Sequence, residues 1–255
     1  MTTTTPRAPR STAPSRLASL GLAEGRQLLR NRTLMFMAAL PIAFVVLIYR
    51  AFPGNKADLS AMSVDYLVQF SLLFCAYYPL VSMLTTRRDE KVLKRLRAGE
   101  CSDAEILAAP ALPTACLCAV PVLLGAFLVM LLSGGAPRQP VLVLLAVALG
   151  IALCWGLALL TSVFTRNAEA AQMTSMPVAF MIMFSAATTR ASFPEGLSDR
   201  MQYTPFAAVA DLVHGGWLGE YSSPTEWARP LLILIAWTIG CCWAGVTRMR
   251  WDERR

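Results

Sequence analysis

The chain has 255 residues, 56% of them hydrophobic and 15% charged, with a formal net charge of +7 and a mean hydropathy of +0.51. Soluble domains carry about 25% charge, so an ordinary soluble domain is excluded and an integral membrane protein is implied. The 23 Lys and Arg residues lie in the gaps between apolar runs rather than in one patch, which argues against a nucleic-acid partner.

Residues 1–14 are rich in Thr, Pro and Arg and read as a disordered cytoplasmic tail. They do not read as a cleaved signal peptide, because the first apolar run starts only near Leu34. Residues 15–33 follow, with Ser15 placed to cap a helix. Leu17, Leu20, Leu28 and Leu29 mix there with Arg16, Arg26, Arg30 and Arg32, which suits an amphipathic helix lying in the headgroup layer. Gly21 and Gly25 weaken that helix. Span 1 covers residues 34–49 and carries Pro41, tolerated where neighbours satisfy the freed carbonyl. Span 2 covers residues 63–84, with Asp65 and Tyr66 at its outer end.

Residues 87–105 form the densest run of charge between apolar segments. Arg87, Arg88, Lys91, Lys94, Arg95 and Arg97 stand beside Asp89, Glu90, Glu100, Asp103 and Glu105. Val92, Leu93 and Leu96 recur within it at helical spacing, which predicts a short amphipathic helix. Ser102 and Glu105 have the spacing of a capping box. Two readings stand side by side: a loop that receives force from a cytoplasmic partner, or a charged loop that only fixes topology.

Span 3 covers residues 106–132, about 40 Å of helix against a hydrocarbon core of roughly 30 Å, so it must tilt, kink or project. Pro110, Pro113 and Pro121 favour kinks, with or without a substrate role. Span 4, residues 141–164, carries Gly150, Cys154, Gly156 and Ala158, small residues that permit close helix contact. Span 5, residues 171–189, holds Met173, Met176, Met181 and Met183. These serve either ordinary packing or a variable apolar cargo. Residues 190–229 form an extracellular segment. Thr204 reads as an N-cap and Pro205 as the first helical residue, with the helix stopped by His214, Gly215 and Gly216. Short helices dipping into the outer leaflet or lying on it are expected. Span 6, residues 230–246, ends in a basic cytoplasmic tail at residues 248–255.

Six spans put both termini on one side. Seventeen Lys and Arg fall on that side and six on the other, so the positive-inside rule places the termini and residues 87–105 in the cytoplasm. The seven cysteines have no zinc spacing, and a single His excludes a multi-histidine metal site. No nucleotide-binding G-x-x-x-x-G-K-[ST], H-E-x-x-H or G-x-S-x-G motif is present. Charge is nearly excluded from the deep parts of the spans, which disfavours an ion-coupled carrier. Uphill transport would then draw its energy from a separate ATPase through the cytoplasmic loops.

Residues 88–98, RDEKVLKRLRA, resemble the charged stretch after the second span in the ABC-2 type permease family, the membrane subunits of ABC exporters of the daunorubicin/doxorubicin-resistance kind. Glu90, Leu93 and Leu96 match its recurring positions, and Val92 stands where the family commonly has Gly. Residues 102–107 resemble the family's run entering span 3. Pro205, Phe206 and Asp211 resemble its proline-led segment before span 6, with His214 nearest to a basic position that follows. The resemblance extends from about Ala18 to Met249.

It implies an all-α polytopic membrane protein of six transmembrane helices, with an N-terminal interfacial helix and short re-entrant helices between spans 5 and 6. It implies a permease subunit, not an enzyme, that exports a hydrophobic or amphipathic small molecule. Alternatives are export of a lipid or lipid-linked glycan, a mechanical or regulatory membrane subunit, or a scaffold. Two ATP-binding subunits carrying ATP and Mg2+, and a second permease copy in a lipid membrane, are the implied partners. Arg88, Glu90, Leu93, Arg95, Leu96, Glu100, Asp103 and Glu105 would form the coupling element that docks on the ATPase.

Overall fold

The computed structural model describes residues 13–89, 102–165 and 169–248, and every regular element among them is helical. Helix α1 (Ala13–Arg30) ends at Asn31, whose side chain accepts from Thr33 and Leu34 N–H and so caps α2 (Arg32–Ala51). Gly21 and Gly25 do not weaken α1 to no purpose. They face the start of a later helix, where a Cβ on Gly25 would lie 3.5 Å from Pro113.

Asn55 caps α3 (Lys56–Ser71) by accepting from Asp58 N–H at 2.8 Å. The helix passes through a π-helical turn at Leu72–Tyr77 and continues as α4 (Tyr78–Asp89). Span 2 therefore begins seven residues before the expected Ser63, and Asp65 is not at its end but fully buried inside the bundle. Ser102 and Glu105 form the capping box of α5 (Asp103–Ala108). Helices α6 (Ala111–Ser133) and α7 (Pro140–Phe164) follow.

Helix α8 (Ala171–Met183) is 13 residues, about 20 Å, and stops six residues short of the expected end of span 5. Short helices α9 (Ala187–Ala191) and α10 (Glu195–Met201) lead to α11 (Pro205–Leu218). His214, Gly215 and Gly216 do not stop α11; Gly219, at φ 73°, does, because a left-handed backbone costs glycine nothing. Helix α12 (Pro224–Arg248) starts six residues before the expected Pro230.

Five helices among the described residues are long and apolar enough to cross a membrane: Arg32–Ala51, Lys56–Arg88, Glu105–Ser133, Pro140–Phe164 and Pro224–Arg248. Lys56–Arg88 and α11 form the centre. Leu67, Leu72, Leu73, Tyr77, Leu80 and Leu84 are sealed from solvent, as are Phe206, Val209, Leu212 and Val213 of α11. Helix α11 thus inserts into the bundle, packed on α3, α7 and α12, rather than lying over it. The broadest contact joins α7 and α12. A Cβ on Gly156 would lie 2.7 Å from Cys242 N, and one on Gly245 would lie 2.9 Å from Gly156 O. The two backbones touch, and only glycine permits it. Leu123, Phe127 and Leu131 of α6 and Leu232, Ile239 and Trp243 of α12 point outward, as lipid-facing residues do.

Candidate functional site

Three features of the bundle bear on function. The first is a clamp at the end of α4. Arg87 forms an ion pair with Glu24 of α1, and its Nη1 donates to Ile106 O at 3.4 Å. Arg88 reaches the other way, donating 2.6 Å hydrogen bonds from Nη1 to Ser162 O and from Nη2 to Thr165 O. Those carbonyls close α7, where the helix leaves acceptors unpaired and its dipole favours a cation. Trp155 Nε1 adds a bond to Leu107 O at 3.0 Å. One helix end therefore holds α1, α5 and α7 together.

Arg88 is 3% exposed and spends its donors on the carbonyls that close α7 rather than on an open surface. The Glu105 carboxylate accepts from Ser102 N at 2.7 Å and from Ser102 Oγ at 2.9 Å. Asp103 opens α5. Glu90, Leu93, Arg95, Leu96 and Glu100 lie outside the described residues.

The second feature is a ladder of rings. Tyr66, Phe70, Phe74 and Tyr78 are spaced by four residues, and each stacks on the next at 6.0–6.1 Å between centroids. Successive planes differ by no more than 24°. All four are half-exposed on a helix whose other positions are largely buried. In a plain α-helix a spacing of four drifts by about 40° per step, because a turn takes 3.6 residues. The π-helical turn at Leu72–Tyr77 accommodates one more residue per turn and holds the lower rings in line with the upper ones. Phe44 of α2 flanks the ladder edge-on, 4.6 Å from Phe70. Tyr66 is fixed from the other side by a 2.6 Å bond to Thr189 Oγ1.

Helix α8 adds an apolar face beside α3 and α4. Met173, Met176 and Met183 lie on it, exposed, with Phe180 and Phe184, whose rings stack at 6.1 Å. Met181 does not share that face; it packs against the core.

The third feature is polar. Arg190 of α9 is buried and pairs with Asp211 of α11, while its Nε donates to Ser185 O at 2.9 Å. Asp65 accepts from Ala187 N–H at 2.6 Å, so the turn after α8 is held by α3 and α11 together. Gln69 Nε2 donates to Phe206 O at 3.0 Å. The Tyr221 hydroxyl donates to Asp211 O at 2.8 Å. Burial pushes the Asp211 carboxyl above the usual carboxylate range, and the Arg190 guanidinium pulls it back down. His214 and Asp211 line a cavity of about 290 Å3 with Tyr221, Glu226 and Arg229. Pro205 and Phe206 lie buried at the start of α11 and take no part in that cavity.

Neither the ladder nor Arg190 was singled out from the sequence as a site. The four-residue recurrence of Tyr and Phe in an apolar run was the available signal for the ladder. No group of three or more His, Cys, Asp or Glu that could hold a metal occurs among the described residues.

An all-helical bundle with several membrane-length helices, lipid-facing apolar surfaces and a braced end is a polytopic membrane protein. Residues 49–247 match the family described as ABC-2 family transporter protein, and the chain belongs to that family. It is accordingly a non-catalytic transmembrane subunit for transport, of the kind that works with an ABC ATPase. No curated protein matches the chain.

Proposed function

We propose that the chain is the permease subunit of an ATP-driven exporter that moves a hydrophobic or amphipathic, drug-like small molecule out across the plasma membrane. The ring ladder carries this reading. A half-exposed aromatic stripe on the most buried of the membrane-length helices offers an apolar solute area to bury and faces to stack on, without a charge to desolvate. The exposed face of α8, with Met173, Met176 and Met183, would supply adaptable contacts beside it.

In this reading the chain crosses the membrane six times. Helix α8 and the turn to α9 make the fifth crossing. Thr174 bonds Thr165 near Arg88, whereas Ala187 bonds Asp65, about 34 Å away along α3 and α4. The short helices after that turn, α11 above all, are the re-entrant segment. The charge asymmetry supports an orientation with the Arg88 end and both termini in the cytoplasm, in this reading at a bacterial inner membrane.

Residues 87–105 would dock on the ATPase. Arg87 and Arg88 anchor the root of that segment, and Glu90, Leu93, Arg95, Leu96 and Glu100 would present its binding surface. Two copies of the chain would pair, with two ATP-binding subunits below supplying ATP and Mg2+. The clamp then gives a path for force: a push on the docked segment reaches α1, α5 and α7 through two arginines. Reconstitution with an ABC ATPase in proteoliposomes tests the reading. Hydrolysis stimulated by a lipophilic drug and its movement across the membrane are expected. ATPase binding with no response to any lipophilic solute would favour a mechanical or regulatory subunit instead.

A further inference from the structure

A groove of about 770 Å3 runs between α1, α2 and α6. Leu29, Ala38, Ile42, Leu117 and Val120 are typical of its walls, and Arg26 is the one charged residue among the described residues that lines it. Helix α1 closes it at the Arg88 end by lying on the start of α6, where a Cβ on Gly21 would lie 3.9 Å from the Leu112 side chain. From there the groove climbs to Ile42 in α2 and to Val120 in α6, some ten residues above each helix start. That is a rise of about 15 Å, half of the roughly 30 Å hydrocarbon thickness. The groove has the depth of one leaflet.

Its mouth is built for an anion. Leu22, Arg26 and Leu29 follow one another at helical spacing on α1, and both leucines are 65% exposed. Arg26 therefore sits inside an apolar stripe rather than on a polar face. Glu24, the nearest acid in sequence, is committed to Arg87, and no carboxylate pairs with Arg26 among the described residues. Arg30 and Arg32 add exposed positive charge next to it. A guanidinium on an apolar surface, on a helix read as lying in the headgroup layer, suits a phosphate that brings its own hydrocarbon.

We propose that this groove binds an anionic phospholipid of the leaflet at the Arg88 end, its acyl chain lying between α2 and α6 and its phosphate against Arg26. The site is separate from the ring ladder and does not depend on the cargo.

The test is native mass spectrometry of the full-length chain in detergent, offered equal amounts of dioleoyl-phosphatidylglycerol and dioleoyl-phosphatidylcholine. The wild type is expected to retain phosphatidylglycerol about fivefold over phosphatidylcholine, a modest charge-assisted preference. Arg26→Gln should level the two. Cys116→Trp, which fills the groove from an exposed position, should lower retention of both. Equal retention by the wild type would overturn the proposal, as would a preference that survives Arg26→Gln. Unchanged lipid retention in Cys116→Trp, with loss of a dimer mass, would assign the face to subunit contact and overturn it equally.

Discussion

Arg190 and Asp211 sit on different helices, 21 residues apart, and form an ion pair that ties the turn after α8 to the inserted helix α11. The arginine is almost fully covered, whereas the carboxylate keeps about a third of its exposure. The two halves of the pair are therefore unequal. Removing the arginine loses its packing and its bonds to both Asp211 and Ser185 O; an asparagine in place of the acid leaves the arginine its bond to Ser185 O and an amide oxygen to donate to.

Arg190→Ala is accordingly expected to destabilise the purified protein by about 2–3 kcal/mol, below the upper range for fully buried pairs. Asp211→Asn should cost about half as much. Thermal unfolding followed by fluorescence in detergent ranks the two, and the opposite order would contradict this account.

At the other end, Arg88→Ala removes two charge-assisted bonds to the carbonyls that close α7. A loss of about 2–3 kcal/mol is expected, by the usual worth of hydrogen bonds to charged groups. Arg88→Lys should restore only part of it, since an ammonium cannot span both carbonyls as a planar fork does. Proteolysis of the residue 90–101 segment should quicken in Arg88→Ala before global unfolding; equal rates in both proteins would argue against the anchoring role.

A substitution on α12 separates close approach from mere glycine content. Gly245→Leu meets Leu159 Cβ and Gly156 O within 3 Å, whereas nothing lies within 4 Å of a Cβ on Gly240. Gly245→Leu should therefore lower stability by about 1–3 kcal/mol or more through overpacking. Gly240→Leu should leave the midpoint within a degree or two, and equal effects would refute the contact.

For the ring ladder, Phe74→Ala should raise the drug concentration that half-stimulates ATP hydrolysis about fivefold to tenfold. That corresponds to roughly 1–1.4 kcal/mol of lost stacking. Phe127→Ala, on the lipid-facing side of α6, is the control and should change nothing. An unchanged response in Phe74→Ala would remove the ladder from the cargo path.

Orientation is testable with single cysteines in a cysteine-free background. Lys56→Cys should react with an impermeant thiol reagent from outside whole cells, and Arg97→Cys only after permeabilisation. The reverse pattern would invert the topology.

The long apolar segments were legible because twenty or so residues without charge have one physical meaning in a membrane. The Ser102–Glu105 capping box was legible because short-range spacing determines that contact, whereas the small residues of α7 showed a face for close approach but not its partner on α12. Helix ends were not. Asp65 looks like a span boundary to a reader of hydropathy, yet it accepts a bond from Ala187 N–H, a partner 122 residues away. Met173, Met176, Met181 and Met183 looked equivalent in the sequence; the rotation of α8 against the bundle turned three outward and one inward. Arg88 looked like part of a solvated finger because its acceptors, two carbonyls at the end of α7, exist only in the folded bundle.

The direct backbone contact at Gly156 and Gly245 has a consequence for movement. Where two backbones touch directly, a sliding motion has little side-chain layer at that point to take it up. Helices α7 and α12 are therefore expected to travel together as one plank, and α11, packed on both, to go with them. Displacement inside this subunit is then left to the flank of α1, α2 and α6 and to α8, which touch the plank over little of their length.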